Sequence, residues 1–207
     1  MKSFLKKIYN LLCVNLPTLF NSIRSGIPFD STHRIVGKIR IIKKGWFIRL
    51  MTREKNGTLV IGKNFRCNNK IKSNSIGLIQ PCVFNIATAG AEIVIGNNVG
   101  ISGSTINATK SIKIGNNVLI GSGCIITDTD SHPIDWQDRI NNRNERTISS
   151  PIIIEDNVFI GARSIILKGV TIGKNSVIGA GSIVTKSITA NSIAGGNPAK
   201  VIKYLNE

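Results

Sequence analysis

Aliphatic residues recur every six positions along much of this chain. Ile154, Ile160, Ile166, Ile172, Ile178 and Val184 keep the interval, with Gly161, Gly173 and Gly179 directly after three of them. The same interval links Ile114, Ile120 and Ile126, and before them Ile95 and Ile101. An α-helix repeats every 3.6 residues and a strand every two, so neither sustains a period of six. A three-sided coil of short strands does, because each side sends one residue into a shared interior. Two residues before each aliphatic stand Ile152, Val158, Ser164, Val170, Ser176 and Ser182, and upstream Ile112, Val118 and Cys124. These are small or β-branched, as a flat strand beside a tight corner requires. Gly96-Asn97-Asn98, Gly115-Asn116-Asn117, Asp156-Asn157 and Gly173-Lys174-Asn175 supply residues that tolerate the corner. Three hexads make a turn of about 18 residues, and turns stack at roughly the 4.8 Å strand spacing. The prediction is an all-β triangular prism of parallel strands, stabilised by length rather than bulk. A β-sandwich does not place its turns at fixed six-residue intervals.

At 207 residues the chain reads as one domain with small terminal additions. The division expected is a helical and connecting segment over 1–30, a prism over 31–203 and a C-terminal helix over 198–207. Cys13, Cys67, Cys82 and Cys124 form no CxxC pair and read as reduced thiols, mostly packed, with Cys124 filling a small strand position. Phe4, Leu5, Ile8, Leu11 and Leu12 share one helical face, and Lys2, Lys6, Lys7 and Asn10 the other. Asn15 and Pro17 interrupt the apolar run and no small-x-small cleavage site follows, so an export signal is not expected. The first reading is a helix packed on the prism, and the second is peripheral contact with a membrane surface. The expected location is cytoplasmic, at the inner face of the membrane if the second reading holds.

Charge is lopsided. Residues 1–72 hold sixteen Lys and Arg against two acidic residues, a net charge of +14, whereas residues 73–207 hold eleven against nine. No zinc finger, helix-turn-helix or aromatic stacking pattern accompanies the basic end, so nucleic acid is not the expected partner. A phosphorylated substrate or an acidic membrane surface suits it, as does plain solvent exposure.

After Ile126 the beat stops and resumes at Ile152 or Ile154. The interruption, 127–151, opens Thr127-Asp128-Thr129-Asp130-Ser131-His132-Pro133 and runs through Trp136 and Arg139. A regular solenoid is chemically monotonous, so a long excursion is where function is sought. His132 is one of two histidines, flanked by Asp128 and Asp130. A neutral imidazole takes a proton from a hydroxyl during attack, and a carboxylate fixes its tautomer. Either aspartate fits that orienting role, and either fits a cap of the loop. Trp136 and Arg139 are candidates for holding the acceptor. Asp128, Asp130 and His132 would also share one side of an extended segment as metal ligands, but with only His33 in addition no metal is expected.

The chain resembles the hexapeptide-repeat acyltransferases, in particular the branch of maltose, galactoside and polysaccharide O-acetyltransferases. The resemblance spans roughly residues 90–203. It rests on Ile112 to Gly121, on Asp130-Ser131-His132-Pro133, on Val158 to Ala162, and on Ile178 to Lys186 followed by Ala194 to Lys200. It implies a left-handed parallel β-helix, a homotrimer, and acetyl-CoA lying in the groove between neighbouring prisms. His132 is then the general base for direct attack by an acceptor hydroxyl. Family members carry a serine after Trp-Ile-Gly that stabilises the oxyanion. Here Phe159-Ile160-Gly161-Ala162 lacks that hydroxyl and leaves the N–H of Gly161 or Ala162. Ser102 stands where the family has an acceptor-side asparagine. Thr185 and Lys186 match a pair lying along the cofactor, with Gly161, Gly179 and Ala180 leaving room for its pantetheine arm. Asn197-Pro198 reads as the start of the C-terminal helix, with Lys200 and Lys203 toward the CoA phosphates. The activity implied is O-acetylation of a sugar, nucleotide-sugar or lipid-linked sugar in surface polysaccharide biosynthesis. N-acetylation of an amino sugar is the nearest rival, and a non-catalytic trimeric scaffold is a further alternative.

Overall fold

The six-residue beat resolves into three flat faces. In the computed structural model, which describes residues 8, 10–25, 27, 30–43, 57–71 and 74–205, the strands of each face run parallel and in register. The first face stacks Arg34–Val36, Arg66–Asn68, Gly100–Ser102, Leu119–Ile120, Phe159–Ile160, Val177–Ile178 and Ser192–Gly196. The second stacks Arg40–Lys43, Val83–Ile86, Thr105–Ala108, Ile125–Thr127, Ile165–Ile166 and Ile183–Val184. The third stacks Thr58–Ile61, Glu92–Ile95, Ser111–Ile114, Ile152–Ile154 and Thr171–Ile172. The architecture is a left-handed parallel β-helix, the prism that the spacing predicts with the hand that the resemblance implies.

Register converts the hexad into columns. Ile101, Ile120, Ile160 and Ile178 line up on the first face, and Phe84, Ile106, Ile126, Ile166 and Val184 on the second. Ile95, Ile114, Ile154 and Ile172 line up on the third, and all of these side chains are buried. The small positions close the corners. Ser164 donates to the carbonyls of Gly161 and Gly179 at 2.8 and 3.1 Å, and Ser182 to Gly179 at 2.6 Å. Cys67, Cys82 and Cys124 are buried free thiols. Desolvation raises the titration of Cys67 well above that of an ordinary thiol and raises that of Cys124. The side chain of Cys13 lies outside the described residues, as do Phe4 and Leu5.

The edge between the third and first faces is turned by Asn64, Asn98, Asn117, Asn157, Asn175 and Asn191, all with φ between 55 and 61°. Asparagine enters this left-handed region more readily than other residues with a Cβ. Each side-chain amide also donates to the next asparagine's oxygen, at 2.8, 2.9, 3.0, 2.9 and 2.7 Å along the edge. Beside this ladder, Asn97, Asn116 and Asp156 accept from the backbone N–H of Lys63, Asn97 and Asn116 in turn.

Both ends of the first face are covered. At the N-terminal end, a π-helical stretch, Asn10–Asn15, leads into an α-helix, Leu16–Ser25. That helix packs by its polar side: Thr18, Asn21 and Ser22 are buried, Asn21 donates to the Ile35 carbonyl at 2.8 Å, and the Ile35 N–H reaches Thr18 Oγ1 at 3.4 Å. These side chains satisfy the edge strand where no earlier coil can. Ile8, Leu11, Leu12, Leu16, Phe20 and Ile23 are left exposed, so the apolar face expected to meet the prism points away from it.

The C-terminal end departs from expectation. Residues read as a helix form the strand Ala199–Tyr204, antiparallel to Ser192–Gly196 after a turn containing Gly196 (φ 103°) and the cis Asn197-Pro198 bond. An unpaired edge at the last coil and the β-branched pair Val201-Ile202 favour a closing strand over an isolated short helix.

The asparagine edge yields a direct test. Asn157→Ala keeps a Cβ in the left-handed region and loses the ladder, whereas Asn157→Gly loses only the ladder. Urea unfolding should show the alanine variant less stable than the glycine variant by about 1 kcal/mol.

Candidate active site

The interruption after Ile126 leaves the corner between the second and third faces as a stem rather than a free loop. Thr129 and Ser149 form an antiparallel bridge, the Ser150 N–H donates to the Asp128 carbonyl at 2.8 Å, and the Asp130 N–H to Ile148 at 3.1 Å. Asp128 sits at the root of the stem, 0% exposed. Its carboxylate accepts from the N–H groups of Thr109, Lys110 and Ser111 at 2.7, 2.7 and 2.8 Å and from Thr109 Oγ1 at 2.9 Å. Both oxygens are committed to the neighbouring corner, so of the two roles open to Asp128 it fills the capping one. It does not orient His132.

Asp130 is placed differently. Its Oδ1 pairs with Lys168 Nζ at 2.6 Å, tying the stem to the next coil, while Oδ2 is buried without a partner. Ser131 follows in the left-handed region (φ 65°), its N–H held by Thr129 Oγ1 at 3.1 Å. This turn carries His132 to the surface, where its ring has no bonding partner among the described residues.

Beyond it the loop braces itself. A short helix, Trp136–Ile140, is capped by the Asp135 carboxylate, which accepts from the Gln137 N–H at 2.8 Å. Arg139 donates to the carbonyls of Pro133 and Ile134, and buried Asp138 takes Arg146 and Arg143 at 3.2 and 3.5 Å. The guanidinium of Arg139, expected to hold the acceptor, is thus engaged in shaping the turn beside His132. Trp136 is exposed and free to meet a ligand.

The remaining candidates divide between two edges of the prism. Thr185 and Lys186 follow Val184 at the corner from which the loop leaves, two coils further on, about 10 Å at 4.8 Å per coil. Gly161, Ala162, Gly179 and Ala180 lie instead at the corner between the first and second faces. There a Cβ on Gly161 would come within 2.4 Å of the Ala180 nitrogen, so close stacking of corners demands this glycine. Gly179 has no neighbour nearer than 3.6 Å and does leave open space. The Gly161 N–H donates to the Ile178 carbonyl at 2.7 Å and is spent, which leaves Ala162 as the backbone donor of the two.

Ser102 lies on the first face and lines a groove of about 430 Å³ with Arg34, Arg66, Asn68, Gly100, Leu119 and Phe159. Lys200 and Lys203 are exposed on the closing strand, opposite Gly195 and Ile193. A single protomer therefore does not bring His132 and the small-residue corner together. They meet only if one copy's edge lies against a different edge of another.

His33 is buried, with Nε2 3.0 Å from the Gly62 carbonyl and its ring edge-on to Phe65. Among the described residues no group of three or more His, Cys, Asp and Glu is placed to hold a metal. Sequence reading missed Lys168 and the Arg34–Arg66 pair. Each owes its place to register between coils, and the span 44–57 makes the interval from Arg34 to Arg66 fall outside the hexad.

Residues 151–186 match the family model for the hexapeptide repeat of succinyl-transferase. Over 93 residues the chain is 40% identical to a 2,3,4,5-tetrahydropyridine-2,6-dicarboxylate N-acetyltransferase of Staphylococcus carnosus, covering 45% of this chain and 33% of that protein. The chain thus spans about a third of the length of the curated relatives it matches. Among solved structures it is similar to a maltose O-acetyltransferase from Clostridium difficile 630, with 35% identity, a TM-score of 0.52, and 74% of this chain and 70% of that one covered. It is also similar to a galactoside acetyltransferase in complex with coenzyme A, with 34% identity, a TM-score of 0.51, and coverage of 72% and 66%.

The assignment of Asp128 is open to a stability measurement. Asp128→Asn keeps one oxygen and turns an NH2 group either toward the N–H groups of Lys110 and Ser111 or toward the N–H and hydroxyl of Thr109, and should lower unfolding stability by about 1–3 kcal/mol. Lys168→Met should leave the prism intact and raise hydrogen exchange across the stem, 128–150.

Proposed function

This chain belongs to the hexapeptide-repeat acetyltransferases, and from that premise we propose that it moves an acetyl group from acetyl-CoA to a sugar hydroxyl, with His132 as general base. The observation that carries the reading is the exposed, unbonded imidazole presented by a stem fastened at Asp128 and Asp130. The acceptor oxygen attacks the thioester carbonyl as an imidazole nitrogen takes its proton. The tetrahedral intermediate then expels CoA thiolate, which recovers the proton from the imidazolium. Charge on the carbonyl oxygen needs a donor aimed at it, and the uncommitted N–H of Ala162 suits that task. Thr185 and Lys186 would flank the cofactor along one edge, with Gly179 and Ala180 along the other. Lys200 and Lys203 would lie toward its phosphates.

Because these groups lie on two different edges of one prism, the active assembly is read as heterologous, edge against unlike edge. Such contacts close into a ring when the rotation is 120°, which gives a homotrimer with three equivalent grooves. The exposed apolar side of the helix Leu16–Ser25, in an N-terminal third of net charge +14, suits an anionic bilayer surface where a lipid-linked acceptor would reside.

One observation favours a second reading, transfer to the amine of an amino sugar. The Asp130 Oδ2 atom, buried without a partner two residues from His132, would suit a protonated amine that must lose a proton before attack.

His132→Ala should reduce acetyl transfer by about 10²–10⁴-fold with CoA binding retained. Unchanged turnover would remove His132 from the mechanism, and absence of CoA binding in the parent protein would favour a scaffold. Paired hydroxyl and amino acceptors distinguish O- from N-transfer, and sedimentation equilibrium should return three protomers. In a vesicle flotation assay the protein should bind liposomes rich in anionic lipid, and Leu16→Ser/Ile23→Ser should release it.

A further inference from the structure

Two arginines stand side by side on the first face with no carboxylate paired to either among the described residues. Arg34 and Arg66 are in-register partners on adjacent strands, about 4.8 Å apart at the backbone. Both are exposed, and neither guanidinium has an ion pair or hydrogen bond among the described residues. No strand of this face carries a carboxylate. Like charges placed directly opposite each other on a sheet destabilise it, so folding alone gives no reason for the pair.

The next residue in that outward column is Gly100, in register with Arg66 on one side and Leu119 on the other. The missing side chain opens a recess between the guanidinium groups and the exposed side chains of Leu119 and Phe159. A Cβ at Gly100 would come within 2.9 Å of Leu119 Cδ2. Ser102 lines the same groove, one strand over from Arg66 and two residues along, about 8 Å away by strand spacing and rise. The groove is thus cationic at one end, polar in the middle and apolar at the other. Lys200 and Lys203, read above as facing the CoA phosphates, lie beyond that apolar end on the closing strand.

We propose that Arg34 and Arg66 form an anion subsite of the acceptor groove, and that it takes the diphosphate of a sugar whose ring lies over Gly100 toward Phe159. The inference rests on the acetyltransferase reading for calling the groove an acceptor site, but the anion subsite stands on its own geometry. Guanidinium forks match phosphate oxygens in bidentate fashion. A diphosphate bridging the pair removes their mutual repulsion and holds the attached sugar near Ser102. The diphosphate would come from either a nucleotide-linked or a polyprenyl-linked sugar.

The test is calorimetric titration of the full chain with inorganic pyrophosphate, with CoA at saturation so that the cofactor's own phosphate contacts are already filled. The parent protein should bind. Arg34→Gln and Arg66→Gln should each weaken binding about tenfold, the loss expected for a charge-assisted hydrogen-bonded contact. Lys174→Gln, four coils beyond Arg66 and outside the groove's lining, should not change it. Pyrophosphate should raise the Tm of the parent and not of the double variant, which should itself melt no lower than the parent. No binding to the parent, or equal binding to the double variant, overturns the proposal. His132→Ala should bind pyrophosphate normally, so an inactive parent that still binds it retains the subsite and loses the transferase reading. Competition by a soluble UDP-sugar marks a nucleotide-linked acceptor. Competition only by vesicles carrying a polyprenyl diphosphate sugar marks a lipid-linked one.

Discussion

In-register stacking of corners governs this molecule. Each coil must turn at the same three places as its neighbours, because along the strands the backbone N–H and C=O groups of one coil pair with those of the coils on either side. The asparagine edge shows how narrow the choice is. Six residues hold φ near 60° and pass one side-chain hydrogen bond to the next. Gly96, Gly115 and Gly161 meet the same demand sterically, since a Cβ on any of them would collide with the backbone of the following coil. Replace the corner and the ladder on both sides loses alignment.

A frame so regular leaves chemistry to its edges and interruptions. The stem carrying His132 is fastened by carboxylates that serve different ends. Asp128 satisfies the corner of the preceding coil, and Asp130 reaches forward to Lys168 in the next. Between them the root of the loop becomes a continuation of the ladder, which fixes the place on the prism from which His132 is presented. The same logic covers the ends. Among the described residues Arg34–Val36 has a neighbouring strand on one side only, and Thr18 and Asn21 supply side-chain partners to Ile35 on the other, while the last coil gains the antiparallel strand Ala199–Tyr204. Using its polar side for that task turns the helix inside out and leaves an apolar surface facing solvent.

Much of this was legible in the residues. The inward columns from Ile95 to Val184, the small corner serines, the break at 127–151 and the prominence of His132 follow from spacing, because six-residue periodicity has one geometric solution. Spacing alone did not show the two earliest coils as coils. The insertion 69–82 and the span 44–57 push Ile35, Cys67 and Phe84 off the beat, although all three are buried in the same core. The C-terminal segment was misread for a different reason. Asn-Pro before a mixed polar and apolar stretch is a fair helix signal locally, and only the waiting sheet edge makes a strand the better partner.

What the amino-acid order determined by itself was the periodic frame and the place where it is interrupted, since both are written in nearest-neighbour terms: one residue in, the next out, a corner every six. What tertiary structure decided was pairing across distance. It brought Arg34 beside Arg66, set Lys168 against Asp130, spent Arg139 and the Gly161 N–H on local bonds, and divided the candidate groups between two edges of one prism. Register between coils depends on how many residues each insertion adds, and no local pattern records that sum.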